Sequence, residues 1–169
     1  MASLGRRPVA RVAVFRLPGI PPGQNRLMRV GPAGWRQAAS WKRRWEQIAW
    51  AAIHEARTTG AWDGAVFDPA VVRIRYHFPD RRRRDPDNYT AAAKLFLDPF
   101  VRAGVLADDS FGHIALLVVA AGTPARPGWT EVLVQEREEG DHDGSGPPGR
   151  LVGVAPGPAQ RRGPGRRGD

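Results

Sequence analysis

The chain contains no cysteine. This absence excludes disulfide frameworks, thiolate nucleophiles, and zinc or iron–sulfur sites that depend on cysteine ligands. Any metal ion in this protein must therefore be bound by oxygen atoms or by imidazole nitrogens.

Long hydrophobic runs are also missing. Arg6, Arg7 and Arg11 precede an apolar stretch, but that stretch runs only from Val12 to Phe15 and is too short for the hydrophobic region of a signal peptide. No segment approaches the roughly 18 apolar residues that cross a membrane as a helix. We therefore expect a cytoplasmic, nucleoid-associated protein with no membrane partner.

Lysine is scarce, because only Lys42 and Lys94 among the 26 basic residues are lysine. Where positive charge alone suffices this chain uses arginine, so Lys94 is a candidate for a position that requires an ammonium group, with chance as the alternative. The formal net charge is +9. An excess of this size favours a polyanionic partner, nucleic acid before membrane, although a basic surface that serves solubility alone is the alternative.

Residues 140–169 differ in composition from the rest of the chain. They include nine glycines and five prolines, with few aliphatic residues. Such a segment buries too little apolar surface to offset its ordering entropy, so we expect it to be disordered. The sequence thus predicts one folded domain over residues 1–139 and a disordered Gly/Pro/Arg-rich tail over residues 140–169.

Hydrophobic periodicity predicts two main helices and four strands in the folded part. In the first helix, Trp41, Trp45, Ile48 and Ala52 are spaced as one face and are expected to belong to the core. The second helix is expected to end at Gly104. The predicted helices are Ala38–Thr58 and Pro86–Ala103, and the predicted strands are Val9–Leu17, Val71–Phe78, Phe111–Ala121 and Trp129–Gln135.

The strand predicted at Val71–Phe78 has one apolar and one basic face. Its apolar residues alternate with Arg73, Arg75 and His77. Strict alternation is typical of a half-buried strand. The basic face either contacts DNA or is solvated.

The segment from Asp80 to Ser110 carries most of the chemical information. Four arginines precede Asp85-Pro86-Asp87-Asn88. Pro86 at the first helical position, with Asp85 as the N-cap, is a regular helix start. On this interpretation Asp85 caps the helix, Asp87 complements the helix dipole, and the arginines are solvated.

Three features favour a metal site instead. Asp87, Lys94 and Asp98 are spaced i, i+7 and i+11, so they share one helix face. Asp108-Asp109 follows the helix, where the returning chain can bring a third carboxylate to the helix N-terminus. Arginines crowd this acidic group. Because clustered carboxylates repel one another, a divalent cation is expected, and oxygen ligands select Mg²⁺, with Mn²⁺ as the alternative.

This combination of groups suits phosphodiester hydrolysis. A carboxylate-bound Mg²⁺ activates water and neutralises charge on the scissile phosphate, while a nearby lysine stabilises the transition state or positions the nucleophile. Arginines beside it hold a nucleic-acid backbone without reading its sequence.

Several motifs occur together in one order. They are Arg83-Arg84-Asp85-Pro86-Asp87-Asn88, a helical Lys-x-x-x-Asp at Lys94 and Asp98, Ala103-Gly104-Val105-Leu106, and Asp108-Asp109-Ser110. As a set they resemble the signature of the RusA family of Holliday junction resolvases. Pro21-Pro22-Gly23-Gln24-Asn25-Arg26 is similar to that family's Pro- and Asn-containing turn after the first strand. The resemblance covers roughly residues 10–136 and is specific as a set, whereas a lone Asp-x-Asp is weak.

The resemblance implies a small α/β fold of the α+β two-layer type, in which a mixed sheet is packed by two main helices. It also implies a homodimer, Mg²⁺ dependence, and paired nicks across a four-way DNA junction in recombination and repair. The metal-binding carboxylates correspond to Asp85, Asp87 and Asp109, and the catalytic lysine corresponds to Lys94. The residues expected to contact DNA are Arg81, Arg82, Arg83, Arg84, Arg73, Arg75, Asn25 and Arg26.

One position departs from the family pattern. In the family the lysine follows the second aspartate about one helical turn earlier. Three residues within Tyr89–Ala93 are inserted here, and this insertion of nearly one turn keeps the lysine on the Asp87 face. Asp108 and Asp98 are the next candidates for the site, with Asp98 placed as a structural or supporting group.

Three alternatives stay open. The chain is short for a nucleotide-sugar transferase, in which Asp-x-Asp also binds a divalent metal, and its arginine run favours a polymer. A non-catalytic basic DNA-binding protein would use the carboxylates as caps and the arginines as phosphate contacts. A nuclease could also act on flaps or forks instead of Holliday junctions.

Overall fold

The computed structural model describes residues 10–29 and 31–137. These residues form four strands, which are β1 (Val12–Pro18), β2 (Ala70–His77), β3 (Ile114–Ala121) and β4 (Trp129–Glu136). They also form helices α1 (Gln24–Leu27), α2 (Pro32–Thr59), α3 (Pro86–Thr90) and α4 (Lys94–Arg102), and the 3₁₀ turn Ala91–Ala93 joins α3 to α4. The predicted tail and the domain boundary at residue 139 lie outside the described residues.

The strands form one mixed sheet in the order β1-β4-β2-β3. Strand β4 is antiparallel to both β1 and β2, whereas β3 is parallel to β2. Two parallel neighbours require a crossover connection, and the helical segment Pro86–Arg102 lies within that connection. The predicted fold class, a small mixed sheet packed by helices, is confirmed.

The core lies between one face of the sheet and helices α2 and α4. On β2, Val72, Ile74 and Tyr76 are buried, as their alternation predicts. Phe100 of α4 meets Phe15 of β1 at a centroid distance of 4.7 Å, in an edge-on geometry favourable for aromatic pairs. The crossover helix is therefore fixed on the sheet through its apolar side, which leaves its polar side for the candidate site.

Three predicted starts are wrong, and one predicted helix is divided. Strand β1 begins at Val12, although the predicted strand included Ala10 and Arg11. The single helix predicted over Pro86–Ala103 is divided into α3, the 3₁₀ turn and α4. Helix α2 begins at Pro32 and not at Ala38, because proline is well suited to the first helical turn. Strand β3 begins at Ile114 and not at Phe111, whose side chain is fully exposed. The backbone N–H groups of residues 113 and 114 both donate to the Ser110 carbonyl, so a turn occupies the start of the predicted strand.

The predicted stripe of helix α2 is confirmed in part. Trp45 and Ala52 are buried, whereas Trp41 and Ile48 are only partly buried against the core. The prediction for the end of the second helix is close, since α4 ends at Arg102 and Gly104 has a φ of +75°, a conformation that glycine adopts without strain. Within the described part of the chain, no helix combines the length and the apolarity needed to cross a membrane.

Candidate active site

Lys94 connects the crossover helix to the loop that follows it. Its Nζ donates a hydrogen bond to Asp109 Oδ2 at 2.6 Å and lies 3.2 Å from Asp98 Oδ1. The Lys94 side chain is 66% exposed, and that of Asp109 is 37% exposed. The hydrogen bonds that Lys94 donates to Asp109 and, secondly, to Asp98 raise the pKa of Lys94. Lys94 is therefore held as an ammonium group in an accessible position.

Local structure explains how these three residues meet. Lys94 and Asp98 are four residues apart on α4 and so face the same side. Beyond α4 the chain is held by hydrogen bonds from the Val105 N–H to the Phe100 carbonyl and from the Phe67 N–H to the Val105 carbonyl. These bonds direct residues 106–110 back along the helix. The predicted return of the acidic pair toward the helix occurs, but Asp109 meets Lys94 at the start of α4.

Asp108 is engaged within its own turn. Its Oδ1 accepts a hydrogen bond from the Asp109 N–H at 2.9 Å. The Ser110 side chain, and secondly the Asp109 N–H, lower the pKa of Asp108 by stabilising its charged form. Asp108 thus has a local structural function beside the exposed Asp109.

Asp85 and Asp87 flank Pro86 at the beginning of α3. Asp85 is the N-cap residue, yet its side chain makes no capping hydrogen bond and is 72% exposed. The capping function that a regular helix start suggests for Asp85 is therefore not observed. Asp87 lies in the first turn, where its charge is favourable to the helix dipole, and its Oδ1 accepts the Asn88 N–H at 2.8 Å.

The predicted three-carboxylate site is not assembled in the described residues. They contain no group of three or more acidic or imidazole side chains placed to hold one metal ion. Asp109 is instead bonded to Lys94, and the 3₁₀ turn Ala91–Ala93 interrupts the regular helix between Asp87 and Lys94. The donor type still suits a hard divalent cation, because exposed carboxylates are the ligands that Mg²⁺ accepts. Asp85, Asp87 and Asp109 as a ligand set stay a prediction.

Asn88 joins two motifs that are far apart in sequence. Its Oδ1 accepts a hydrogen bond from the Asn25 N–H at 3.0 Å, across 63 residues. A Cβ placed on Gly23 would lie only 2.4 Å from Asn88 Nδ2, so the loop packs directly on this side chain. Gly23 therefore permits a close approach that a larger residue would prevent. Sequence reasoning did not identify Asn88 as a positioning residue, although Asn88 is the last residue of the motif that begins at Arg83.

The arginine run before α3 has two kinds of member. Arg84 is partly buried, donates to Asp80 Oδ1 at 2.7 Å, and places its guanidinium 4.1 Å from the centroid of the Phe78 ring. The Arg82 N–H and then the Arg84 side chain lower the pKa of Asp80. Arg81, Arg82 and Arg83 are exposed. Arg84 thus anchors the segment. Arg82 lies 3.6 Å from Asp80 Oδ2 and Arg83 lies 4.0 Å from Asp85 Oδ1, so the accessible charge of the exposed arginines is partly paired.

The two arginines of strand β2 point away from the core and have partners on β4. Arg73 donates to Gln135 at 3.0 Å, and Arg75 forms an ion pair with Glu131 at 3.1 Å. The predicted basic face is therefore partly neutralised by the neighbouring strand. Their expected contact with DNA stays a prediction.

Comparison with protein-family models finds no family that matches the chain, and comparison with curated proteins finds no match either.

Proposed function

We propose that this protein is a Mg²⁺-dependent, structure-selective endodeoxyribonuclease that resolves Holliday junctions by paired phosphodiester hydrolysis in DNA recombination and repair. The observation that carries the proposal is the exposed contact between Lys94 and Asp109, which come from separate segments. Both belong to the set of motifs that resembles the RusA family. The proposed setting is the nucleoid, and the proposed active form is a homodimer, because two symmetric nicks require two sites.

The state of Lys94 supports an electrostatic role. Its side chain is 66% exposed and its Nζ donates to Asp109, an arrangement that suits stabilising a phosphate more than accepting a proton. Asp85, Asp87 and Asp109 would hold Mg²⁺, which would supply charge neutralisation at the phosphate and a more acidic bound water. Arg81, Arg82 and Arg83 are exposed next to Asp85 and would hold the DNA backbone.

A second candidate function is a non-catalytic basic DNA-binding protein. The specific observation in its favour is that the described residues hold no assembled group of three metal ligands. On this alternative the arginines contact phosphates and the carboxylates balance their charge. A nuclease that acts on other branched DNA, such as flaps or forks, would use the same residues as the main proposal.

The discriminating experiment compares synthetic four-way junctions, flaps, nicked duplex and linear duplex, each with Mg²⁺ or with a chelator. The proteins are the wild type, Asp85→Asn, Asp87→Asn and, as a matched control, Glu55→Gln, which removes an exposed carboxylate from α2. We expect metal-dependent cleavage of junctions by the wild type and the control, and junction binding without cleavage by both Asp variants. Binding without cleavage by the wild type would support the second candidate instead.

A further inference from the structure

A cleft of about 200 Å³ lies next to the segment Pro21–Arg26, which follows β1. It is formed where the loop after β1, helix α2, the end of β2 and helix α3 meet. Aromatic rings, prolines and two arginines line it, and these are Trp41, Phe78, Tyr89, Pro21, Pro22, Pro79, Arg26 and Arg84, together with Ile20 and Gly23.

Contacts within the protein hold the walls of this cleft together. Phe78 and Tyr89 pack edge to face with centroids 5.0 Å apart. The Tyr76 hydroxyl donates to the Tyr89 carbonyl at 3.1 Å, and Pro21 and Pro22 are buried. Such a preformed cleft binds a rigid ligand with little loss of conformational entropy.

The charge at the rim selects an anion. Arg26 is exposed at the cleft, whereas the charge of Arg84 is shared with Asp80 at 2.7 Å. The lining residues include no carboxylate. A planar aromatic group attached to a phosphate fits this combination, because the partly exposed rings of Trp41 and Tyr89 can stack on a base and arginine contacts phosphate. The volume is below the roughly 300–1,000 Å³ of sites for larger ligands, which favours a single base ring.

We propose that this cleft binds one unstacked nucleobase of a DNA strand, with the adjoining phosphate at Arg26. The inference rests on the proposed function, since the strand is part of the branched substrate. Bases at a branch point lose less stacking and pairing than bases within a duplex when they are extruded. The cleft would therefore contribute to the preference for branched DNA over linear duplex.

The test measures binding of the full-length protein to four-way junctions by fluorescence anisotropy, in the presence of chelator so that no strand is cut. One junction is intact, and the other has abasic residues at the nucleotides that flank the branch point. We expect the wild type to bind the abasic junction roughly 5- to 150-fold more weakly, the range for one stacked base. This measurement requires no variant.

A matched pair of tryptophan variants then locates the base. Trp41→Leu removes one wall of the cleft, whereas Trp50→Leu changes a tryptophan that is 43% exposed on the same helix and does not line the cleft. We expect Trp41→Leu to lose affinity for the intact junction and to bind both junctions about equally. Trp50→Leu is expected to retain the wild-type difference between the two junctions.

Arg26→Ala provides a second variant in case Trp41→Leu does not fold, because Arg26 is exposed. We expect this variant to bind the intact junction more weakly. The slope of log affinity against log salt concentration should decrease by about one, which corresponds to the loss of one phosphate contact. Circular dichroism spectra confirm that each variant is folded. Arg43→Ala, an exposed arginine on α2 that does not line the cleft, is the control for loss of charge and should retain the wild-type preference for intact bases.

Several outcomes would overturn the inference, and they are distinguishable. If the wild type bound both junctions with equal affinity, the cleft would not bind a base, but DNA binding by the protein would still be supported. The same conclusion would follow if a folded Trp41→Leu variant kept the wild-type difference in affinity between the intact and abasic junctions. Displacement of the junction by a proline-rich peptide identifies a different occupant for the aromatic cleft. If the wild type binds no DNA, the proposed function fails together with the inference.

Discussion

Replacing Lys94 with alanine should greatly slow cleavage while leaving the fold nearly as stable as before. The Lys94 side chain is 66% exposed and forms ion pairs with Asp98 and Asp109. Exposed pairs contribute about 0.2–1 kcal/mol each, because water and salt screen them. The loss of both should therefore lower the free energy of unfolding by about 1 kcal/mol. For a chain of this size that corresponds to a Tm decrease of about 2–4 °C.

The expected effect on catalysis is much larger. If Lys94 stabilises charge on the phosphate, its removal should lower the cleavage rate about 100- to 1,000-fold, as for other positioned donors. Lys94→Arg keeps the charge but replaces the compact ammonium with a planar guanidinium, so we expect it to bind junctions and to cleave them poorly. Lys42→Ala is the matched control, because it removes the only other lysine, an exposed residue on α2.

The assay combines single-turnover cleavage of a labelled four-way junction with Tm measurement and anisotropy binding. Full cleavage by Lys94→Ala would refute the catalytic role of this residue. A Tm decrease well beyond 4 °C, accompanied by loss of binding, would instead show that Lys94 is a structural residue. Equal decreases in cleavage rate for Lys94→Ala and Lys42→Ala would show that the effect comes from net charge alone.

Three further predictions concern the fold around the site. Asn88→Ala should lower the free energy of unfolding by about 1 kcal/mol, since it removes the hydrogen bond to the loop after β1, and chemical denaturation measures this change. Phe100→Ala should cost about 3–5 kcal/mol because Phe100 is fully buried, and a Tm near that of the wild type would contradict the core packing. Asp68 raises the pKa of His113. The stabilisation from this pair should thus be complete below a pH of about 6.5, the ordinary pKa of histidine, and should disappear as the pH rises through the raised pKa. Thermal melts at several pH values should show that Asp68→Asn narrows the difference in Tm between acidic and alkaline pH, and an unchanged difference would exclude this linkage.

Much of the secondary structure follows from local patterns. The alternation in β2 and the helical spacing of Trp45 and Ala52 depend only on which face of an element is buried, so both could be recognised directly. The start of β3 could not be recognised in the same way. An apolar Phe111 extends the strand pattern, whereas the hydrogen bonds to the Ser110 carbonyl that form a turn there appear only in the folded chain.

The sequence by itself determined the types of group that are available for chemistry. Cysteine chemistry is excluded, and the charged groups between residues 80 and 110 are six aspartates, five arginines and Lys94. Only the tertiary structure decided which of these groups touch. The helical spacing predicted that Asp87 and Lys94 share a face, but the 3₁₀ turn Ala91–Ala93 lies between them. Lys94 pairs with Asp109 instead, because hydrogen bonds beyond α4 direct the returning loop to that point, and a local pattern contains no information about such distant contacts.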